Sequence, residues 1–282
     1  MSRRNMAGNK SRPPKPPHRA EPSPPPPPPP EKRPSVALVV AVVLTAFLEV
    51  LDITIVSVAI THMLGSFGAT SDQITWVLTS YLVSAAVVMP LTGYLSARLG
   101  RRRLLIISIL GFVVSSALCG LAWSLEAMVV FRLAQGLMGA PLVPLSQAIL
   151  LDAFPREKAG QALAIFGLGI MVAPVLGPTF GGWLTETFIW RAVFYINVPI
   201  GLFALLLAMG HLPQTAIRYM KTDWIGLILL VLAVGSLQFV LDQGQTRDWF
   251  NSRLIQFFTA VTIFSSAAFL MYAWNRPGSI ID

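Results

Sequence analysis

The sequence predicts an all-α polytopic membrane protein with eight transmembrane helices. Three observations lead there. Of the 282 residues, 54% are hydrophobic and only 12% charged, whereas a soluble domain carries about 25% charged residues. The apolar residues fall into eight runs, each near the roughly 20 residues an α-helix needs to cross a bilayer. The Lys and Arg residues avoid those runs and gather in alternate loops.

The runs lie near 36–62, 73–97, 103–122, 127–150, 160–184, 190–210, 224–243 and 254–274. Short loops join them, so sequence neighbours are expected to be neighbours in space. With the N-terminus in the cytoplasm, the cytoplasmic segments hold 17 Lys and Arg residues and the outer ones hold three, Arg191, Arg247 and Arg253. That asymmetry predicts a multi-pass protein of the inner or plasma membrane with a cytoplasmic N-terminus. Trp123, Trp190, Trp224, Trp249 and Trp274 fall near run ends, where amphipathic rings anchor a helix at the lipid–water interface.

Residues 1–35 differ in kind. They hold 13 of the 22 prolines, seven of them consecutive at Pro24–Pro30, together with eight basic residues. With no apolar face to bury, this segment is expected to be a disordered, Pro-rich, basic cytoplasmic tail of polyproline II character. The sequence therefore divides into that tail (1–35), six runs (36–210) and two further runs (211–282).

The net charge of +8 invites a nucleic-acid reading, but the basic residues sit in the tail and the short loops, so their role is topological and no nucleic-acid partner is expected. One cysteine, Cys119, lies inside an apolar run and reads as a small hydrophobe. His18, His62 and His211 have no metal-ligand spacing. No acid/base pair or nucleophile motif sits at a membrane face, so no enzyme activity, metal site or cofactor is expected.

Chemistry concentrates in the first run. Glu49 and Asp52 lie near its middle, where a carboxylate costs roughly 2.5–3.5 kcal/mol on insertion scales. A spacing of three puts both on one helix face. Arg132 is the basic residue inside the fourth run and needs an anionic partner, water or a cavity. Glu49 and Asp52 are the expected partners. The arrangement reads either as a static ion pair joining the first and fourth helices or as a switchable proton site. Gln135, Gln147, Thr45 and Asn197 add polar groups within spans. They line a cavity or satisfy helix–helix hydrogen bonds. Gly177, Gly181 and Gly182 permit close helix approach, and Pro174 and Pro178 each remove a helix hydrogen bond.

The loop between the second and third runs reads Gly93-Tyr94-Leu95-Ser96-Ala97-Arg98-Leu99-Gly100-Arg101-Arg102-Arg103. Its glycines suit a tight helix–loop–helix turn. This pattern resembles the signature loop of the major facilitator superfamily, except that an acidic residue is usual at the position of Ala97. Three further segments resemble that superfamily's fourteen-span drug:proton antiporters, the EmrB/QacA-type multidrug exporters. Leu51-Asp52-Ile53-Thr54-Ile55-Val56-Ser57-Val58-Ala59 resembles their first-span motif, which commonly has Asn at Ser57 and Pro at Thr61. Arg132-Leu133-Ala134-Gln135-Gly136 resembles the fourth-span Arg motif. Ala173-Pro174-Val175-Leu176-Gly177-Pro178-Thr179-Phe180-Gly181-Gly182 resembles the fifth-span antiporter motif.

The resemblance implies a major-facilitator N-terminal six-helix half followed by two further spans. It implies proton-coupled efflux of hydrophobic or cationic compounds, with protons as the coupling ion. Asp52, Glu49 and Arg132 would handle the proton. Glu49, Gln135 and Gln147 would be candidates for the substrate cavity. Gly93, Arg98, Gly100, Arg101, Arg102, Pro174, Gly177, Pro178, Gly181 and Gly182 would form the conformational motifs. Membrane lipid and, in a source with two membranes, a periplasmic adaptor and outer-membrane channel are the implied partners. Eight spans would leave such a transporter without its second half, so the chain is expected to be incomplete. The alternative is a non-transporting membrane remnant or scaffold that needs a separate chain for activity.

Overall fold

A computed structural model of the protein describes residues 34–214 and 223–274. The Pro-rich tail up to residue 33 lies outside the described residues, as do Arg218, Lys221 and Arg276. Among the described residues eight helices are long and apolar enough to cross a membrane. They are α1 (Val36–Phe67), α2 (Ser71–Leu99), α3 (Arg101–Gly120), α4 (Leu125–Ala153), α5 (Arg156–Thr187), α6 (Ala192–His211), α7 (Trp224–Gln243) and α8 (Arg253–Trp274).

The ends are set by local chemistry. α1 runs five residues past the apolar stretch, until Gly68 closes it in the left-handed conformation (φ 58°), a conformation glycine adopts without a Cβ penalty. Thr70 and Gln73 then cap α2 reciprocally: the Gln73 N–H donates to Thr70 Oγ1, and the Thr70 N–H to Gln73 Oε1. Ser124 and Asp223 cap α4 and α7 through the N–H groups of Ala127 and Gly226.

α1 is the central element. It packs against α5, α6 and the second half of α4, while α2 and α3 flank the first half of α4. Two apolar cores result. One joins Leu38, Val42 and Leu48 to Leu105, Phe112 and Leu142, and the other joins Ile55, Val56 and Met63 to Val77, Cys119 and Phe194. The polar site lies between them along α1. α7 docks on α2 and pairs with α8.

Two expectations from the sequence need correction here. Gly93 does not belong to the turn between α2 and α3: it lies within a helical segment, Thr92–Leu99, where a Cβ would meet nothing within 4 Å. Gly100 alone makes the turn, with φ at 83°. Trp190 is not an interfacial anchor either. It is 5% exposed, stacks near Phe67 and Phe194 and donates Nε1–H to Ser66 Oγ at 2.9 Å. That bond fastens the segment before α6 to the C-terminal end of α1.

Candidate functional site: a sealed carboxylate–guanidinium cluster

The site begins with a break in α4. Pro141 and Pro144 carry no N–H, and α4 divides into segments Leu125–Gly139 and Leu142–Ala153. The Val143 N–H at the start of the second segment donates to Glu49 Oε2 at 3.1 Å. Glu49 therefore serves as a carboxylate cap at an internal helix start, where the exposed N–H groups favour negative charge.

One turn further along α1, Asp52 meets Arg132. Arg132 Nη1 donates to Asp52 Oδ2 at 2.6 Å, and both side chains are fully buried. The second oxygen, Oδ1, accepts from Gln135 Nε2 at 3.0 Å and from Asn197 Nδ2 at 2.6 Å. Asn197 Nδ2 also reaches Ser116 Oγ at 3.1 Å, and Ser116 donates to the Phe194 carbonyl at 2.9 Å. Helices α1, α4 and α6 thus converge on a single carboxylate, with α3 joined to it through Asn197.

Arg132 is held by more than its counter-ion. Nε donates to the Val77 carbonyl of α2 at 3.1 Å, and Nη1 also donates to Gln135 Oε1 at 2.8 Å. Its Cζ lies 4.3 Å from the Tyr81 ring centroid and 5.8 Å from that of Phe194, an arrangement that stabilises a cation through the ring quadrupoles. Arg132 Nη2, Tyr81 Oη and Asn197 Oδ1 have no hydrogen-bond partner, so the cluster retains spare donor and acceptor capacity. Buried charge at this depth is costly unless paired and hydrogen-bonded, and four of the pair's five side-chain polar atoms, both Asp52 oxygens with Arg132 Nε and Nη1, have such partners.

The structure brings Asp52 and Arg132 together and keeps Glu49 apart from Arg132, on the Val143 N–H. Gln135 is fully buried inside the cluster and therefore lines no open cavity, while Gln147 is half-buried on the second segment of α4. Thr45 donates back to the Ala41 carbonyl at 2.7 Å. Ser116, Val77 and the Pro141 break complete the site and are unremarkable as sequence.

The two helix-motif regions lie on either side. Arg101 pairs with Asp152 at the end of α4. Arg102 Nη2 donates to the Met209 carbonyl of α6 at 2.6 Å, and Arg98 donates to Tyr94 Oη at 3.0 Å. Asp152 supplies a carboxylate to the loop that Ala97 cannot. On α5, Gly177 lies against the side chain of Thr54, and at Gly181 a Cβ would come within 3.1 Å of the Ile55 carbonyl oxygen. Gly182 meets nothing within 4 Å, so the close approach of α5 to α1 depends on the other two together with Gly169, which lies against Val43. Pro174 and Pro178 sit on the exposed side of α5, whose helix continues through both.

A third in-span carboxylate, Asp242, escapes the sequence reading because it stands in the last turn of the seventh run. It accepts a hydrogen bond from Thr79 Oγ1 of α2. Its neighbour Gln243 donates Nε2–H to the same hydroxyl at 2.7 Å and accepts from Arg247 Nε at 3.3 Å.

Comparison with known proteins agrees with this architecture. The chain is 43% identical over 249 residues to the multidrug export protein EmrB of Haemophilus influenzae, covering 88% of this chain and 49% of the relative. It is 40% identical over 241 residues to the fatty acid resistance protein FarB of Neisseria gonorrhoeae, covering 85% and 48%. The chain thus spans about half the length of the curated relatives it matches. The fold resembles the in meso crystal structure of the POT family transporter PepTSo, with a TM-score of 0.61 at 13% identity over 87% of this chain and 55% of that one. The Major Facilitator Superfamily model matches residues 42–278, from within α1 to beyond α8, and this multi-pass chain belongs to that transporter family.

Proposed function

We propose that the protein takes part in proton-coupled export of hydrophobic or cationic compounds, with the Asp52–Arg132 pair as the coupling site. The observation that carries this reading is a fully buried carboxylate held by an arginine with substitute partners ready. If a proton neutralises Asp52, the guanidinium loses its counter-charge. It keeps the Val77 carbonyl, Gln135 Oε1 and the Tyr81 and Phe194 rings. Protonation then loosens α1 from α4 without leaving the cation stranded. A difference of that kind between two protonation states biases an equilibrium between two helix arrangements.

The reading is supported by the names of the relatives, which refer to multidrug export and fatty acid resistance, and by membership in a transporter family. The excess of basic residues on alternate loops supports a cytoplasmic N-terminus. In a source with two membranes, an adaptor and an outer-membrane channel would complete the route.

Inverted membrane vesicles containing the protein provide the test. An imposed proton gradient should drive uptake of a lipophilic cation, and Asp52→Asn should abolish it while the amount of protein in the membrane stays the same. Equal uptake by wild type and Asp52→Asn would overturn the proposal.

A further inference from the structure

We propose that the groove between the α7–α8 pair and helices α2 and α4 is a binding site for a lipophilic aromatic cation, separate from the Asp52 cluster. Taken as a site for an exported compound, this inference rests on the export reading; as a binding site it stands on the geometry alone.

The groove has a volume of about 380 Å³, within the size range of small-molecule sites. Its walls are mostly apolar and include Trp76 and Ser80 of α2, Leu133 of α4, Phe239 of α7 and Phe258 of α8. Three rings cluster there: Trp76 and Phe239 have centroids 6.0 Å apart, and Phe239 and Phe258 have centroids 4.4 Å apart. Aromatic faces attract a positive charge, most strongly where water is excluded.

Two polar groups give the groove its chemistry. On α7 the lining residues Leu232, Ser236 and Phe239 recur at helical spacing, and the next turn carries Gln243 on that face with Asp242 at its edge, beyond Val231 and Gly235. Asp242 is joined to the groove wall through Thr79. It is half-buried, and it forms no ion pair among the described residues. Arg247, the nearby base, is turned to Gln243 Oε1. A negative charge thus stands at one end of an aromatic groove with no cation matched to it.

Ser80 is the second group. It is 2% exposed, and its hydroxyl has no hydrogen-bond partner. Ser84 returns its hydroxyl to the Tyr81 carbonyl at 2.9 Å and Ser115 to that of Gly111 at 2.7 Å, whereas Ser80, like Ser146 on α4, leaves its own unpaired. A buried hydroxyl left unsatisfied costs free energy that a bound polar atom recovers.

Equilibrium binding of radiolabelled tetraphenylphosphonium to the protein in lipid nanodiscs tests the inference. Wild type should bind it saturably. Asp242→Asn, which keeps an acceptor for Thr79, should weaken binding about tenfold, and Asp242→Glu should restore it. Glu126→Gln, which removes an exposed carboxylate at the start of α4, should leave binding unchanged. Phe239→Leu should weaken binding several-fold and serves as the readout if Asp242→Asn melts at a lower temperature than wild type. No saturable binding, wild-type affinity in both Asp242→Asn and Phe239→Leu, or an equal loss in Glu126→Gln would each overturn the site. Proton-driven uptake in vesicles reads the export proposal separately, so binding without proton-driven uptake would sink that proposal and leave this one standing.

Discussion

Asp52 and Arg132, 80 residues apart in sequence, meet at 2.6 Å with neither side chain exposed. Removing one member of a buried pair strands the other and costs about 3–5 kcal/mol, whereas replacing both by apolar groups is often neutral. Arg132→Met should therefore lower the unfolding midpoint of the detergent-solubilised protein sharply. The double variant Asp52→Leu, Arg132→Met should recover most of that loss. A double variant less stable than either single one would show that the pair contributes net stability and is not merely tolerated.

The approach of α2 to α4 depends on Gly136. A Cβ there would collide with the Tyr81 carbonyl oxygen and with Ser84 Oγ. A main-chain atom cannot swing aside as a side chain can, so α2 itself would have to shift. Overpacking of this kind costs about 1–3 kcal/mol. Gly136→Ala should lose that much stability, while Gly182→Ala, with nothing within 4 Å, should match wild type. Comparing the thermal midpoints of the two variants decides the point, and equal midpoints would refute it.

Much of this molecule was legible in the sequence because a bilayer imposes simple rules. Run length sets the spans, and the cost of charge in lipid singles out Asp52, Glu49 and Arg132. Partner choice was less legible. Glu49 and Asp52 share a face of α1, yet only Asp52 reaches Arg132, because the Pro141 break offers Glu49 a main-chain N–H instead. The remaining partners of Asp52 are two side-chain amides, Gln135 and Asn197, and the Ser116 hydroxyl stands behind Asn197. Such groups carry no charge signal and satisfy helix packing equally well. Asp242 was obscured by its position at a span end, where acidic residues are ordinarily at the interface.

Gly100 and Gly93 differ in a way that their shared motif conceals. Gly100 has φ at 83° and ψ at 140°, a backbone conformation costly to residues with a Cβ, by about 1–3 kcal/mol. Gly93 lies in a helix with open space around it, where alanine is the better helix former. Gly100→Ala should destabilise the α2–α3 turn and lower the melting temperature. Gly93→Ala should leave it unchanged or raise it. The reverse order would refute this division of roles between the two glycines.

Glu49 carries two properties that substitution can separate. As a hydrogen-bond acceptor it satisfies the Val143 N–H at the restart of α4. As an ionisable carboxyl it stands one turn from Asp52. Glu49→Gln keeps a carbonyl oxygen for Val143 and removes the ionisable group, so the thermal midpoint should stay close to that of wild type. Glu49→Leu removes both and leaves a buried N–H unpaired, at a cost of about 1–3 kcal/mol. If Glu49 meets the charge of a cationic substrate, Glu49→Gln should reduce transport of cations at normal stability and spare neutral compounds. If it only caps α4, Glu49→Gln should transport both classes as wild type does. Vesicle uptake of one cationic and one neutral probe, read beside the melting curves, separates a helix cap from a substrate contact.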